Sequence, residues 1–143
     1  MAFKKVTSVD YIVVHCSATS PDMDIGAAEI DEWHRAKSWL AIGYHYIIRR
    51  DGTLETGRAA NTVGAHVQGF NNVSQGICMV GGVTEKGKAE NNFTKAQKAT
   101  LKTLLTALNH QYPEARILGH RDIDDSKECP CFDVKSWWRR VNK

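Results

Sequence analysis

Three side chains of metal-ligating type stand where an α/β fold does its chemistry. His15 closes the apolar run Tyr11-Ile12-Val13-Val14, His120 closes the short run 115–119, and Cys129 follows across an aspartate-rich loop. Sites in α/β sheets form at the carboxyl edge of the strands. Two histidines and a cysteine gathered there would give three ligands and an open fourth position, the catalytic form of a zinc site, whereas structural sites are closed by four. The two-residue period of a strand puts Tyr11, Val13 and His15 on one face and Ile12, Val14 and Cys16 on the other. His15 and Cys16 are therefore not expected to share an ion. No local motif such as His-Glu-x-x-His accompanies these residues, so on spacing alone ordinary core or surface histidines remain an open reading.

The elements that would have to position them are legible as periodicity and punctuation. Residues 10–16 read as a buried strand bounded by Ser17 and Pro21. Ile30, Trp33 and Lys37 recur at helical spacing and predict an amphipathic helix over 26–38. A strand over 44–50 meets Asp51-Gly52, a hairpin signal, and continues as Thr53-Leu54-Glu55. Residues 58–74 carry Gly64, Gly69, Asn71 and Asn72 without periodicity and read as a long loop, a kind that is usually functional or mobile. A core strand is expected over 76–83. Thr94-Lys95-Ala96-Gln97 is a capping box opening a helix through Leu101, Leu104, Leu105 and Leu108. Tyr112-Pro113 ends that helix, and Asp133 caps a last one containing Trp137 and Trp138. Alternating strands and helices predict an α/β domain, a central mixed sheet flanked by helices.

Composition narrows the class. A chain of 143 residues is one domain's worth, and 42% hydrophobic with 24% charged residues excludes a disordered, collagen-like or membrane protein. The net charge of +3 comes without a basic stripe, so no nucleic-acid partner is expected. No run approaches the ~18 apolar residues of a membrane helix. The apolar stretch after Lys4-Lys5 is too short for a secretory signal, which predicts a protein cytoplasmic as synthesised. Cys16, Cys78, Cys129 and Cys131 are expected as free thiols or ligands, not as a disulfide framework.

Read in order, the words His15-Cys16-Ser17-Ala18-Thr19, Trp33-His34, Gly43-Tyr44-His45-Tyr46-Ile47-Ile48, Asp51-Gly52-Thr53, Gly64-Ala65-His66, Gly76-Ile77 and Cys129-Pro130-Cys131-Phe132-Asp133 carry a resemblance. The chain is similar to the zinc-dependent N-acetylmuramoyl-L-alanine amidases of the phage lysozyme type, which share their fold with animal peptidoglycan recognition proteins. The resemblance runs from about residue 10 to residue 140. It implies one zinc ion per chain on His15, His120 and Cys129, with Tyr44 and Lys127 catalytic. His66 matches a histidine that faces the substrate cleft; a plain loop residue is the competing reading. The implied activity is hydrolysis of the amide between N-acetylmuramic acid and L-alanine in peptidoglycan. A phage or prophage endolysin, reaching the wall after membrane release, is the implied setting.

The resemblance has consequences beyond the site. The whole of 1–143 would be one catalytic domain without a separate wall-binding module, acting as a monomer. One phage member also binds its phage RNA polymerase, a partner on which this sequence says nothing. A non-catalytic peptidoglycan-binding module is the alternative, but such relatives lose the metal cysteine or the tyrosine, and Cys129 and Tyr44 are both present. Two departures stand out: the stretch from His120 to Cys129 looks one residue longer than in the phage members, and Cys131 replaces a serine. Elsewhere the structural readings are favoured. His34 is expected to pack on its helix, and His45 to face away from Tyr44. His110 follows the helix dipole. Cys16 and Cys78 are expected as small buried hydrophobes, Trp137 and Trp138 as anchors of the last helix, and Arg121-Asp122 as a local ion pair.

Overall fold

The computed structural model describes residues 3–143. Five strands, β1 (Tyr11–Cys16), β2 (Tyr46–Ile48), β3 (Leu54–Thr56), β4 (Ser74–Met79) and β5 (Arg116–Gly119), form one sheet in the order β3-β2-β4-β1-β5. β1 runs parallel to both neighbours, β4 and β5, and β2 is parallel to β4. The one antiparallel pair is the β2–β3 hairpin at Asp51-Gly52. Three helices, α1 (Ala27–Ala36), α2 (Lys95–Gln111) and α3 (Val134–Val141), complete the α/β domain.

β1 reads as an unbroken apolar run because both of its faces are covered, as a central parallel strand requires. Ile12, Val14 and Cys16 pack with Leu101, Leu105 and Leu108 of α2 and with Val134, Trp137 and Trp138 of α3. Val13 packs on the other face with Val67 and Leu118. Each fully buried aliphatic side chain of this set is worth about 1.5–3 kcal/mol. The capping box of α2 forms as expected: Gln97 N–H donates to Thr94 Oγ1 at 3.0 Å and Thr94 N–H to Gln97 Oε1 at 3.0 Å. Asp133 caps α3 through the Ser136 N–H, and the two tryptophans are buried as anchors.

Three expectations shift. The strand expected over 44–50 is confined to Tyr46–Ile48, which leaves Tyr44 and His45 just ahead of it. The strand expected over 76–83 begins two residues early, at Ser74, and stops at Met79. Gly81 and Gly82 adopt φ of 127° and 100°, conformations closed to L side chains, so the apolar run outlasts the strand. The loop over 58–74 is not loose throughout. It contains a 3₁₀ turn at Asn71–Val73, and His66 and Val67 are buried within it.

The pairing decides where the site can form. β5 pairs with β1 only as far as Gly119 opposite Val14. His15 therefore projects past the end of β5 and stands beside the turn His120–Asp122 that follows it.

Candidate metal centre

One ligand atom from each of His15, His120 and Cys129 lies within 4.8 Å of the other two, the one such group among the described residues. Local chemistry brings their segments together. Gly119 lets the loop close on β5, because a Cβ there would lie 2.8 Å from Pro130 Cδ. Arg121 N–H donates to the Cys129 carbonyl at 2.8 Å, stitching the turn to the loop. Asp122 Oδ2 accepts from Gly119 N–H at 2.8 Å. No Arg121–Asp122 ion pair forms among the described residues, since the aspartate is used to brace its own turn. Cys16 N–H donates to Cys129 Sγ at 3.1 Å.

The two nitrogens of His15 face different ways. Nδ1 lies 3.9 Å from Cys129 Sγ, while Nε2 lies 2.8 Å from His66 Nδ1. His66 Nε2 in turn meets Ser74 Oγ at 3.2 Å. The His120 ring stands 4.6 Å from that of His15, centroid to centroid. Cys131 is directed elsewhere: its Sγ lies 3.8 Å from Cys16 Sγ, outside the three-donor group. Cys16 and Cys78 are buried as expected.

Burial sets the protonation of this region. It depresses the imidazoles of His15, His66 and His120 below the ordinary histidine value. Neighbouring imidazoles add to this at His15 and at His66, where Arg58 also contributes, while at His120 Asp124 opposes it and Lys127 adds to it. Neutral imidazole is the form that ligates a metal. The thiol of Cys131 is pushed up to about 12, first by burial and then by Cys16. The thiol of Cys16 is raised further, first by its contact with Cys129 and then by burial. Burial also raises the Tyr44 phenol, with nearby thiols adding to it, so that it stays a hydrogen-bond donor at neutral pH.

These directions fix a pH dependence. Burial lowers His66 to about 3, against about 6.5 in an unfolded chain. Between those values the unfolded chain binds a proton that the folded one refuses. Stability is then complete above about 6.5 and is lost as pH falls toward about 3. His45, depressed chiefly by burial, acts in the same direction. The midpoint of thermal unfolding of zinc-free protein is expected to fall steadily from pH 7 to pH 4; a flat profile would contradict neutral buried histidines.

The three donors lie on a cleft of about 550 Å³. Tyr44 and Lys127 both line it, and the Tyr44 ring is 5.2 Å from that of His15. His66 lines it too, although both its ring nitrogens are engaged inward. His34 is structural as expected, its Nδ1 accepting from Gly43 N–H at 2.8 Å, yet it also forms part of the wall. His45 is held by the Gly76 N–H and the Thr62 carbonyl. In the sequence Lys37 counts only as part of a helical repeat, and nothing marks Trp39. The Lys37 ammonium sits 5.3 Å above the exposed Trp39 ring, at the outer part of the cleft. The helix expected over 26–38 ends at Ala36, which leaves both residues in the turn beyond it. Asp124 is the one carboxylate on the lining, and its hydrogen bonds with Ser126 hold it below the usual carboxylate range.

Residues 5–132 match the family model described as N-acetylmuramoyl-L-alanine amidase. An endolysin of Klebsiella phage KP32 is 49% identical over 138 residues, 96% of this chain and 91% of the relative. Among solved structures, the endolysin and N-acetylmuramoyl-L-alanine amidase LysCS of Clostridium intestinale URNW superposes with a TM-score of 0.84 at 29% identity, covering 99% of this chain and 89% of its own. The Drosophila peptidoglycan recognition protein LB superposes with a TM-score of 0.76 at 25% identity, covering 90% and 79%.

Proposed function

The chain belongs to the N-acetylmuramoyl-L-alanine amidase family, and from that membership we propose a zinc-dependent mechanism run by five of its side chains. The activity is that of the phage endolysins it resembles, hydrolysis of the amide between the lactyl group of N-acetylmuramic acid and L-alanine in peptidoglycan. Among the described residues no helix is long and apolar enough to cross a membrane. His15, His120 and Cys129 would hold one zinc ion. The donor set fits it: two imidazoles held neutral by burial and a thiol that accepts a backbone N–H. Zinc bound there would lower the pKa of water to roughly 7 and polarise a carbonyl.

The remaining steps fall to the protein. Attack on the amide carbon places negative charge on the carbonyl oxygen, which needs donors fixed in advance where that charge develops. Lys127, presented on the turn closed by Lys127 N–H to the Asp124 carbonyl, brings an ammonium to the cleft. Tyr44 brings a phenol kept protonated by burial. His66 supplies wall against the substrate beside these groups.

The observation that carries this reading is the convergence of the three donors, Tyr44 and Lys127 on one cleft whose lining holds a single carboxylate. Glycoside cleavage normally takes two carboxylic residues flanking the bond, one of them protonated. Asp124 has no such partner and is biased toward its charged form. Digestion of purified peptidoglycan is expected to expose new L-alanine amino termini and leave glycan strands whole, as read by mass spectrometry of the products. A strong chelator should stop the reaction and added zinc restore it. New reducing ends without new amino groups would overturn the amidase mechanism.

A further inference from the structure

We propose that His66 is a positioning residue for the metal, holding His15 in the one orientation and tautomer that can ligate. The proposal rests on the reading of His15, His120 and Cys129 as the zinc site. His15 meets the other two donors through Nδ1, since that atom is the one beside Cys129 Sγ. A ligating Nδ1 must carry a lone pair, so the ring proton belongs on Nε2. That N–H points at His66 Nδ1, 2.8 Å away, which must then be bare. The proton of His66 is left on its own Nε2, where Ser74 Oγ accepts it at 3.2 Å. Each ring N–H in this row has one acceptor, and the row is buried: His15, His66 and Ser74 are 1%, 9% and 0% exposed.

The ring of His66 is held in a slot built for it. A Cβ on Gly76 would lie 2.6 Å from His66 Cγ, and one on Gly64 would lie 2.7 Å from His66 Cδ2. Both glycines are thus needed for the ring to sit between them. The backbone behind it is pinned by Asn71 Oδ1, which accepts from His66 N–H at 2.9 Å and Val67 N–H at 2.8 Å. His45 closes a further side, its ring 5.7 Å from that of His66 and nearly perpendicular. A loop residue kept only to touch substrate needs neither inward hydrogen bond nor such a slot. Outer partners of this kind orient a ligating histidine and raise its basicity.

The test is zinc affinity, measured by competition with a chelator, on four variants beside the wild type. His66→Phe fills the slot but removes the acceptor, and its zinc dissociation constant is expected to rise about 10–100-fold. His66→Gln, whose carbonyl can take the His15 N–H, is expected to bind more tightly than His66→Phe. In ¹⁵N spectra of the zinc-loaded wild type, the His15 Nε2 proton should exchange slowly with water. It should be lost to exchange in His66→Phe and recovered in His66→Gln. If His66→Phe fails to fold, Ser74→Ala decides. Without Ser74 the buried His66 proton moves to Nδ1, where it opposes the His15 N–H, and affinity should fall by about threefold or more. Cys129→Ser separates this idea from the metal reading beneath it. Should Cys129→Ser bind zinc as the wild type does, the site itself is misassigned. Loss of zinc in Cys129→Ser with unchanged affinity in His66→Phe, or in Ser74→Ala where that variant decides, overturns the role of His66 alone. Equal weakening in His66→Phe and His66→Gln does the same.

Discussion

Cys129→Ser is expected to lose zinc and amide hydrolysis together, while Cys131→Ser keeps both. The two thiols are two positions apart in sequence, and sequence alone leaves them rivals for one ion. Their surroundings separate them. Cys129 Sγ belongs to the three-donor group and accepts the Cys16 N–H. Cys131 Sγ lies against Cys16 Sγ, with burial pushing its pKa up to about 12. A thiol that holds its proton so firmly is a poor ligand, because zinc takes the thiolate. Replacing a ligand should cost more than the roughly 10–100-fold in affinity that an outer partner costs. Elemental analysis after gel filtration reads the outcome. Zinc retained by Cys129→Ser and lost by Cys131→Ser would reverse the assignment.

The second large effect is expected at Tyr44 and Lys127. Tyr44→Phe and Lys127→Ala should each fold, keep one zinc per chain, and lose about 10²–10³ in kcat, the usual cost of one oxyanion donor. Tyr44 lies against His15 and His34, ring centroids 5.2 and 5.6 Å away. Removing only its hydroxyl leaves that packing in place, so the phenylalanine variant isolates the hydrogen bond. Lys127 is exposed at the rim and supports no core contact, so its truncation should be nearly silent in stability. Turnover at the wild-type rate in either variant removes that residue from the mechanism.

The sequence disclosed most of what local rules govern. The capping box at Thr94, the stop at Tyr112-Pro113, the hairpin at Asp51-Gly52 and the two-faced burial of β1 depend on neighbours in sequence, and all stand in the structure. The strand at Gly76 starts earlier because Ser74 and Gln75 are polar yet fully buried, and it stops earlier because an apolar run does not report the positive φ of Gly81 and Gly82. The family's words located the donors. They could not disclose that His66 turns both nitrogens inward, since that depends on Ser74 and on the space left by Gly64 and Gly76. Nor could they disclose Lys37 and Trp39 in the cleft. The left-handed backbone of Ser38, φ 69°, reverses the chain there, and a serine does not announce that conformation.

The arrangement of β1 between β4 and β5 also governs when the molecule becomes competent. Neither neighbour of β1 is close to it in the chain, and the contact of His15 with Cys129 spans 114 positions. Parallel pairings of that range close large loops before any contact compensates them, which slows folding relative to hairpins and helices. Along a nascent chain emerging from the ribosome, His15 and His66 are available early, His120 late and Cys129 later still. A chain stopped short of Cys129 lacks that thiol and also α3, whose Val134, Trp137 and Trp138 cover one face of β1. The three donors can therefore come together only once residues near the end of the chain have been made and the long-range pairings of β1 have closed.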